Sequence, residues 1–260
     1  MEPPTNSISR SPYLTVASLD VGAVHFAVYV ERVPRGEWEA WIRNRDRGHP
    51  RPRPPRGQCV WKVVWDLTSP VLGAVADPEA PYLAGFGYDL THPEPTQDTD
   101  PRVPSLSLTQ IPWAHKHLLW NLERHHYLWS GADQILVERQ LNRNPRAVRL
   151  ETVCLTYFHT RCPHVRAASY PAKFKTVLLG YRGPRGARGK GARKVWAVAR
   201  ALDLCRLRGD ARLAAWFQTP RRKKDDLADA MLMVQAWKLQ QAGWGWDGDE
   251  DEGEGEEGDG

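Results

Sequence analysis

Long apolar runs are missing from this chain. No stretch approaches the ~20 consecutive apolar residues needed to cross a bilayer, so no membrane partner is expected. Cysteine is scarce, at 59, 154, 162 and 205, without a C-x-x-C pair. That spacing argues against structural zinc and fits a reducing compartment. Cys162 and His164 lack a second ligand pair and read as packing residues. The leading MEPPTNSISRSPY has no apolar core of the signal-peptide type, and with Glu2 and a single Arg it makes a poor transit peptide. An intracellular protein is expected. Acidic residues are scarce over most of the chain. Residues 247–260 (DGDEDEGEGEEGDG) hold nine of the 31 acids and no base, leaving 22 acids against 36 Lys and Arg on residues 1–246, a net of +14. A body that basic suits a phosphate backbone, with affinity falling steeply as salt rises. The tail reads as disordered, and either solubilises the chain or competes with nucleic acid for its basic surface.

The 260 residues are enough for one large domain. Residues 1–12 read as a disordered lead. YLTVASLD and VHFAVYVERV read as two strands joined at Gly22, and VWKVVWDL (60–67) as a third. Residues 34–57, with HPRPRPPRG, read as a flexible basic insertion unable to pack a core, and 68–112 as a further Pro-rich excursion. The Pro/Arg-rich insertion as a whole thus spans about 34–112, inside a domain of 13–246. WAHKHLLWNLERHHYLW (113–129) has helical spacing. Its His117, His125 and His126 lack an i+4 ligand partner and read as solvated or core histidines. GADQILVERQ is a buried-type strand, then come a helix at about 145–160 and a short strand at 164–169. Residues 189–204 and 225–241 are amphipathic helices. Three short-linked strands pair antiparallel, and later strands reached through helices pair parallel. The expected fold is α/β: a mixed five-stranded sheet with helices on both faces, the layout of the RNase H-like fold.

Four acids stand where a hard cation would want oxygen. Asp20 and Glu138 each end an apolar strand, and Asp226 and Asp229 share one helical face at i, i+3. Asp225, i, i+4 from Asp229, is geometrically possible in place of Asp226, and either fits the first turn of a helix as a dipole-favoured acid. Asp229, amid Leu227, Ala228, Ala230 and Met231, is the hardest to explain as structure, because a charge there is costly without a partner.

In SLDVG, LVERQ and KKDDLADA, taken in that order, the chain resembles the RuvC-type Holliday junction resolvases. The spelling of the second and third motifs is closest to the poxvirus and iridovirus branch and its mitochondrial relatives. SYPAKFKTVLLG with GKGARKVWAVARAL is similar to the family's lysine-bearing strand–loop–helix. The resemblance implies a homodimeric endonuclease that resolves four-way, branched DNA by paired nicks, at sites of DNA replication or recombination. It implies Mg²⁺, replaceable by Mn²⁺, as two ions per site, which together activate a water and stabilise a leaving oxygen. Asp20 would bridge the ions, Glu138 hold one, and Asp226 and Asp229 the other. The choice of Asp226, with Asp225 in reserve, rests on this family resemblance. Lys175, placed five before a Gly180 closing the strand, would stabilise the scissile phosphate, with Lys173 as alternative. The loop YRGPRGARGKGARK carries Arg182, Arg185, Arg188, Lys190, Arg193 and Lys194 among glycines, a pattern suited to phosphate contact. Lys223 and Lys224, with Arg221 and Arg222, precede the catalytic helix and are expected to face DNA, and Gln140 to support Glu138. The aromatic wedge of bacterial members, three after the motif glutamate, is Leu141 here.

Other classes share parts of this pattern. An actin-like kinase also carries D-x-G after a strand, but its further glycine-containing nucleotide motifs are missing. A transposase or RNase H relative would use the same acids on other nucleic acid. A non-catalytic basic DNA-binding protein would need none of them.

Overall fold

Five strands order the molecule, each built from the apolar and β-branched runs that favour extended chain. The computed structural model describes residues 11–22, 25–45, 53–67, 111–184, 189–219 and 224–243. Most of the 1–12 lead, most of the 34–112 stretch and all of the 247–260 tail lie outside the described residues, as do Arg185, Arg188 and Lys223. Strands β1 (Tyr13–Val21), β2 (His25–Pro34) and β3 (Gln58–Asp66) pair antiparallel, whereas β4 (Gln134–Arg139) pairs parallel with β1 and with β5 (Arg166–Pro171). The sheet order is β3-β2-β1-β4-β5. This is the mixed α/β sheet expected of the RNase H-like layout. Gly22 makes the β1–β2 turn possible: a Cβ there would meet the His25 carbonyl oxygen at 2.3 Å.

The helices are α1 (Arg35–Arg45), α2 (Ile111–Arg124), α3 (His126–Ser130), α4 (Pro145–Arg161), α5 (Lys173–Leu178), α6 (Lys190–Arg208), α7 (Ala211–Gln218) and α8 (Lys224–Gln241). Side-chain alternation gives the sheet two apolar faces. Ala17, Leu19, Phe26, Val28, Ile135 and Val137 join the core beneath α2–α4. Val16, Ala27, Tyr29 and Leu136 join the core formed with α6, α7 and α8. Helix α8, expected to be amphipathic, is instead buried almost all round, because it is sandwiched between the sheet and other helices. Ser18 Oγ on β1 donates to the Ala230 carbonyl of α8 at 2.6 Å, pinning the helix to the sheet centre.

Several expectations need correction. Part of the 34–57 stretch packs after all: α1 buries Trp41, and Trp38 stacks on Trp237 of α8 at 5.4 Å. Tryptophans at i, i+3 make an apolar helical stripe, which the neighbouring Pro- and Arg-rich run masked in the composition. β2 and β3 are consequently not joined by a short turn. The single helix expected over 113–129 is broken at His125. There the His125 ring binds the Asn121 carbonyl (2.8 Å), and Trp129 Nε1 and Tyr157 Oη both donate to the Leu122 carbonyl (2.8 and 3.1 Å). Side chains that take ladder carbonyls in this way kink helices. His117 and His125 are core residues, the latter packed against Trp61 and Trp65. His126 contacts Tyr157 Oη at 3.2 Å, and His164 reaches the Ser130 carbonyl at 2.8 Å. All four cysteines are free and buried. Lys175 lies on a helix, α5, and not on a strand; Gly180, at φ 81°, closes that helix. Helix α7, capped by Asp210 accepting from the Leu213 amide at 2.9 Å, has no counterpart in the sequence reading.

A buried ion cluster that sequence reasoning did not single out lies at the far end of α8. Glu31, on β2 at a strand irregularity, is fully buried. It accepts from Arg208 Nη1 (2.7 Å), Gln235 Nε2 (2.8 Å) and Tyr29 Oη (3.0 Å), and is ion-paired with the equally buried Lys238. Lys238 also donates to the Pro55 carbonyl at 3.2 Å. Gly57 allows this approach, because a Cβ there would lie 2.0 Å from Glu31 Oε1. Burial pushes the Glu31 carboxyl up, but Arg208 and Lys238 outweigh it and hold it at about 2. Burial likewise pushes the Lys238 ammonium down, while Glu31 pulls it back up and Arg208 opposes.

Glu31→Gln would leave two buried cations without their counter-charge, and is expected to cost about 3–5 kcal/mol in denaturant unfolding. A loss under ~1 kcal/mol would show the cluster to be dispensable. Because Glu31 is depressed in the folded state, its contribution is full above pH 4.5 and is lost as pH falls from there towards about 2. Wild-type unfolding free energy should therefore fall more steeply with acid over that window than that of Glu31→Gln.

Candidate active site

The parallel pairing of β1 with β4 sets the site. The register runs Val16–Gln134 to Leu19–Val137, so one step further Asp20 stands beside Glu138 on neighbouring strands. Two-residue alternation puts both on the α8 side of the sheet, with Ser18 and Leu136. Helix α8 crosses that face and brings in Asp229 from its second turn. Asp229 sits one residue before Ala230, whose carbonyl is held by Ser18.

Lys175 enters this group from α5. Its Nζ lies 2.8 Å from Glu138 Oε1 and 3.1 Å from Asp229 Oδ1, and its side chain is only 8% exposed. Gln140 Nε2 donates to Glu138 Oε2 and to the Glu138 carbonyl, both at 3.3 Å. The charges are strongly interdependent. Burial, and then the charge and hydrogen bonding of Glu138, push the Asp20 carboxyl well above the ordinary carboxylate range, with Lys175 only partly opposing. Burial also raises Asp229, again with Lys175 opposing. Burial pushes Glu138 up, yet Lys175 and the hydrogen bonds from Asp20, Lys175 and Gln140 bring it to about 2. Burial disfavours the Lys175 ammonium, but Glu138, Asp229 and Asp20 together hold it above the ordinary lysine range. Three carboxyls thus share one internal cation, so Glu138 stays ionised while its charge helps Asp20 hold a proton more tightly than an isolated carboxylate would.

The first turn of α8 adds two acids. Asp225 is ion-paired with Lys194 of α6. Asp226 is half-buried, and its charge, like those of Asp225 and Asp229, helps hold Lys194 above its ordinary range behind the Asp225 hydrogen bond. The charge of Asp225 also reaches Asp229. Among the described residues, no three His, Cys, Asp or Glu side chains stand together as a metal-ion shell; Lys175 lies between the carboxyls instead. The donor set nonetheless fits a hard divalent cation: it is all oxygen, buried, and carries more negative charge than one ammonium balances.

Of the cations expected to face DNA, Lys194 reaches the acids through its pair with Asp225. Lys173 and Arg182 are exposed, as are Lys190 and Lys194, while Arg193 and Lys224 are half-buried. Sequence reasoning missed Glu151 of α4. Its Oε2 accepts from the Gln140 amide at 2.7 Å and its Oε1 from Ser169 Oγ at 2.6 Å, which ties the chain just after Glu138 to α4 and β5. A lone acid within an otherwise mixed helix gave no sequence signal. Leu141, next to Gln140, is 59% exposed.

No family model matches this chain. The curated "Uncharacterized protein 97L" of Invertebrate iridescent virus 3 is 32% identical over 121 residues, which is 46% of this chain. The chain spans 55% of that relative's length. Among solved structures, "T. thermophilus RuvC in complex with Holliday junction substrate" is similar at a TM-score of 0.42 and 14% identity, covering 88% of this chain and 97% of that one. The "Thermus thermophilus RuvC structure" gives the same values.

Glu151→Ala is expected to leave the Gln140 amide unpaired, cost about 1–3 kcal/mol, and speed hydrogen exchange at that amide about tenfold. Exchange at Gln140 unchanged from wild type would show that Glu151 does not hold this segment.

Proposed function

We propose that the protein is a divalent-metal-dependent, structure-selective endonuclease that nicks four-way DNA junctions. The observation that carries this reading is that Glu138 from a strand and Asp229 from a helix both bind the buried Lys175 ammonium, with Asp20 beside Glu138 on the neighbouring strand. Structural acids rarely gather so, because like charges in a buried site repel unless a cation is to be held. Together with the motif resemblance and the basic body of the chain, this arrangement fits phosphodiester hydrolysis on nucleic acid.

On this reading Asp20, Glu138, Asp229 and Asp226 hold Mg²⁺, with Mn²⁺ able to substitute and Asp225 as the alternative to Asp226. The metal supplies an activated water and a stabilised leaving oxygen. Gln140 orients Glu138, and Glu151 fixes the backbone that carries Gln140. Lys175 offers a positive charge to the phosphate undergoing attack. Lys190, Arg193, Lys194 and Lys224, with Lys173 and Arg182, are the proposed contacts to the phosphate backbone; Arg185, Arg188 and Lys223, outside the described residues, are proposed from the sequence alone. A four-way junction has two equivalent strands to cut, so a twofold homodimer is the matching assembly.

Asp20→Asn and Asp229→Asn are each expected to lower Mg²⁺-dependent nicking of a synthetic four-way junction more than ~100-fold, beyond the loss of an outer-shell partner. Junction binding at moderate salt should persist, as read by electrophoretic mobility shift. Full nicking by either variant would remove the four-acid site. Equal cutting of linear duplex or of an RNA–DNA hybrid would redirect the substrate assignment to another nucleic acid.

A further inference from the structure

The position of Lys175 carries more than a contact to phosphate. Its ammonium bonds Glu138 Oε1 at 2.8 Å and Asp229 Oδ1 at 3.1 Å, so it occupies the space between a strand carboxylate and a helix carboxylate. Those two carboxylates belong to different proposed ion positions, and Asp20 is within electrostatic reach of the same ammonium. An ammonium and a divalent ion cannot both fill that space: each needs the same oxygen lone pairs, and their charges repel. We propose that Lys175 is a built-in counter-cation that neutralises the carboxyls in the metal-free protein and is displaced from them when metal enters. This inference rests on the metal-site reading above and adds an order of events. Lys175 leaves Glu138 and Asp229 on loading, and only then is its ammonium available to a bound phosphate.

The anatomy of α5 suits such a move. The helix has six residues and is closed by Gly180 at positive φ. Lys175 is near its middle, on a long side chain with four rotatable bonds, so the ammonium can move while the backbone stays put. Lys194 serves as the internal control. It too is a cation at the site, but it pairs with Asp225 and is 45% exposed. Removing a nearby positive charge raises metal affinity at either position; removing the group that occupies the ligand oxygens does so far more.

The test is calorimetric titration of Ca²⁺ into full-length wild type, Lys175→Met and Lys194→Met, at one pH and salt. The expected result is affinity at least tenfold tighter for Lys175→Met than for wild type, with Lys194→Met within about threefold of wild type. Lys175→Met should also melt lower than wild type without metal and recover when saturated with Ca²⁺. Equal Ca²⁺ affinity in wild type and Lys175→Met would overturn displacement while leaving the metal site standing. No Ca²⁺ binding by either protein would overturn the metal reading and this inference together. Should Lys175→Met not fold, the wild-type protein answers alone by ¹⁵N lysine-ammonium NMR. The slowly exchanging Lys175 Nζ signal is expected to vanish or shift on Ca²⁺ saturation. Its persistence, with carboxyl signals perturbed, would overturn the proposal.

Discussion

Helix α8 lies across the sheet with a buried ion cluster near each end, and most of the molecule is arranged to make that placement possible. Asp229 and Lys238 are roughly 13 Å apart along the helix axis. At the first cluster Asp229 meets Glu138 through Lys175, and at the second Lys238 meets Glu31 together with Arg208. Each cluster costs desolvation that only close pairing can offset. A helix slipped by one residue would bury unpaired charges at both ends at once. The two clusters therefore act as a register device, with Ser18 bonded to the Ala230 carbonyl between them.

The clusters do different work. Around Glu31 two cations, Arg208 and Lys238, hold one carboxylate ionised, and Gln235 and Tyr29 complete its hydrogen bonds. Such a group is satisfied by the fold itself. Around Lys175 the proportion is reversed: three carboxyls share one ammonium, and both Asp20 and Asp229 are raised, chiefly by burial. On the proposed reading, a metal ion meets the charge gathered at this junction of two strands and a helix. The rigid cluster fixes α8, and the fixed α8 holds the other in place.

Much of this was legible in the sequence because the signals were local. Strand-ending acids at 20 and 138 announce themselves by the apolar runs before them, and Asp229 by its apolar helical neighbours. The mix of antiparallel and parallel pairing followed from which strands are separated by helices. What escaped was non-local or masked. Glu31 reads as an ordinary polar position in VYVERV, and its partners lie 177 to 207 residues away in Arg208, Gln235 and Lys238. Glu151 supports Gln140 from a different element. Helix α1 was hidden by the proline-rich run beside it, and α5 by β-branched and aromatic residues in SYPAKFKTVLLG that suit a strand as well as a short helix. The break at His125 depends on the His125 ring and on side chains from α3 and α4 taking two carbonyls, which no periodicity records.

The central claim is that the Asp20–Glu138–Asp229 group exists to hold a divalent ion. The most direct measurement is a crystal structure of the protein saturated with Mn²⁺, read at the manganese absorption edge. The account predicts an anomalous peak bonded to carboxylate oxygens of Asp20, Glu138 and Asp229, with Lys175 withdrawn from Glu138. An empty site at saturating Mn²⁺, with Lys175 still bridging Glu138 and Asp229, would contradict it.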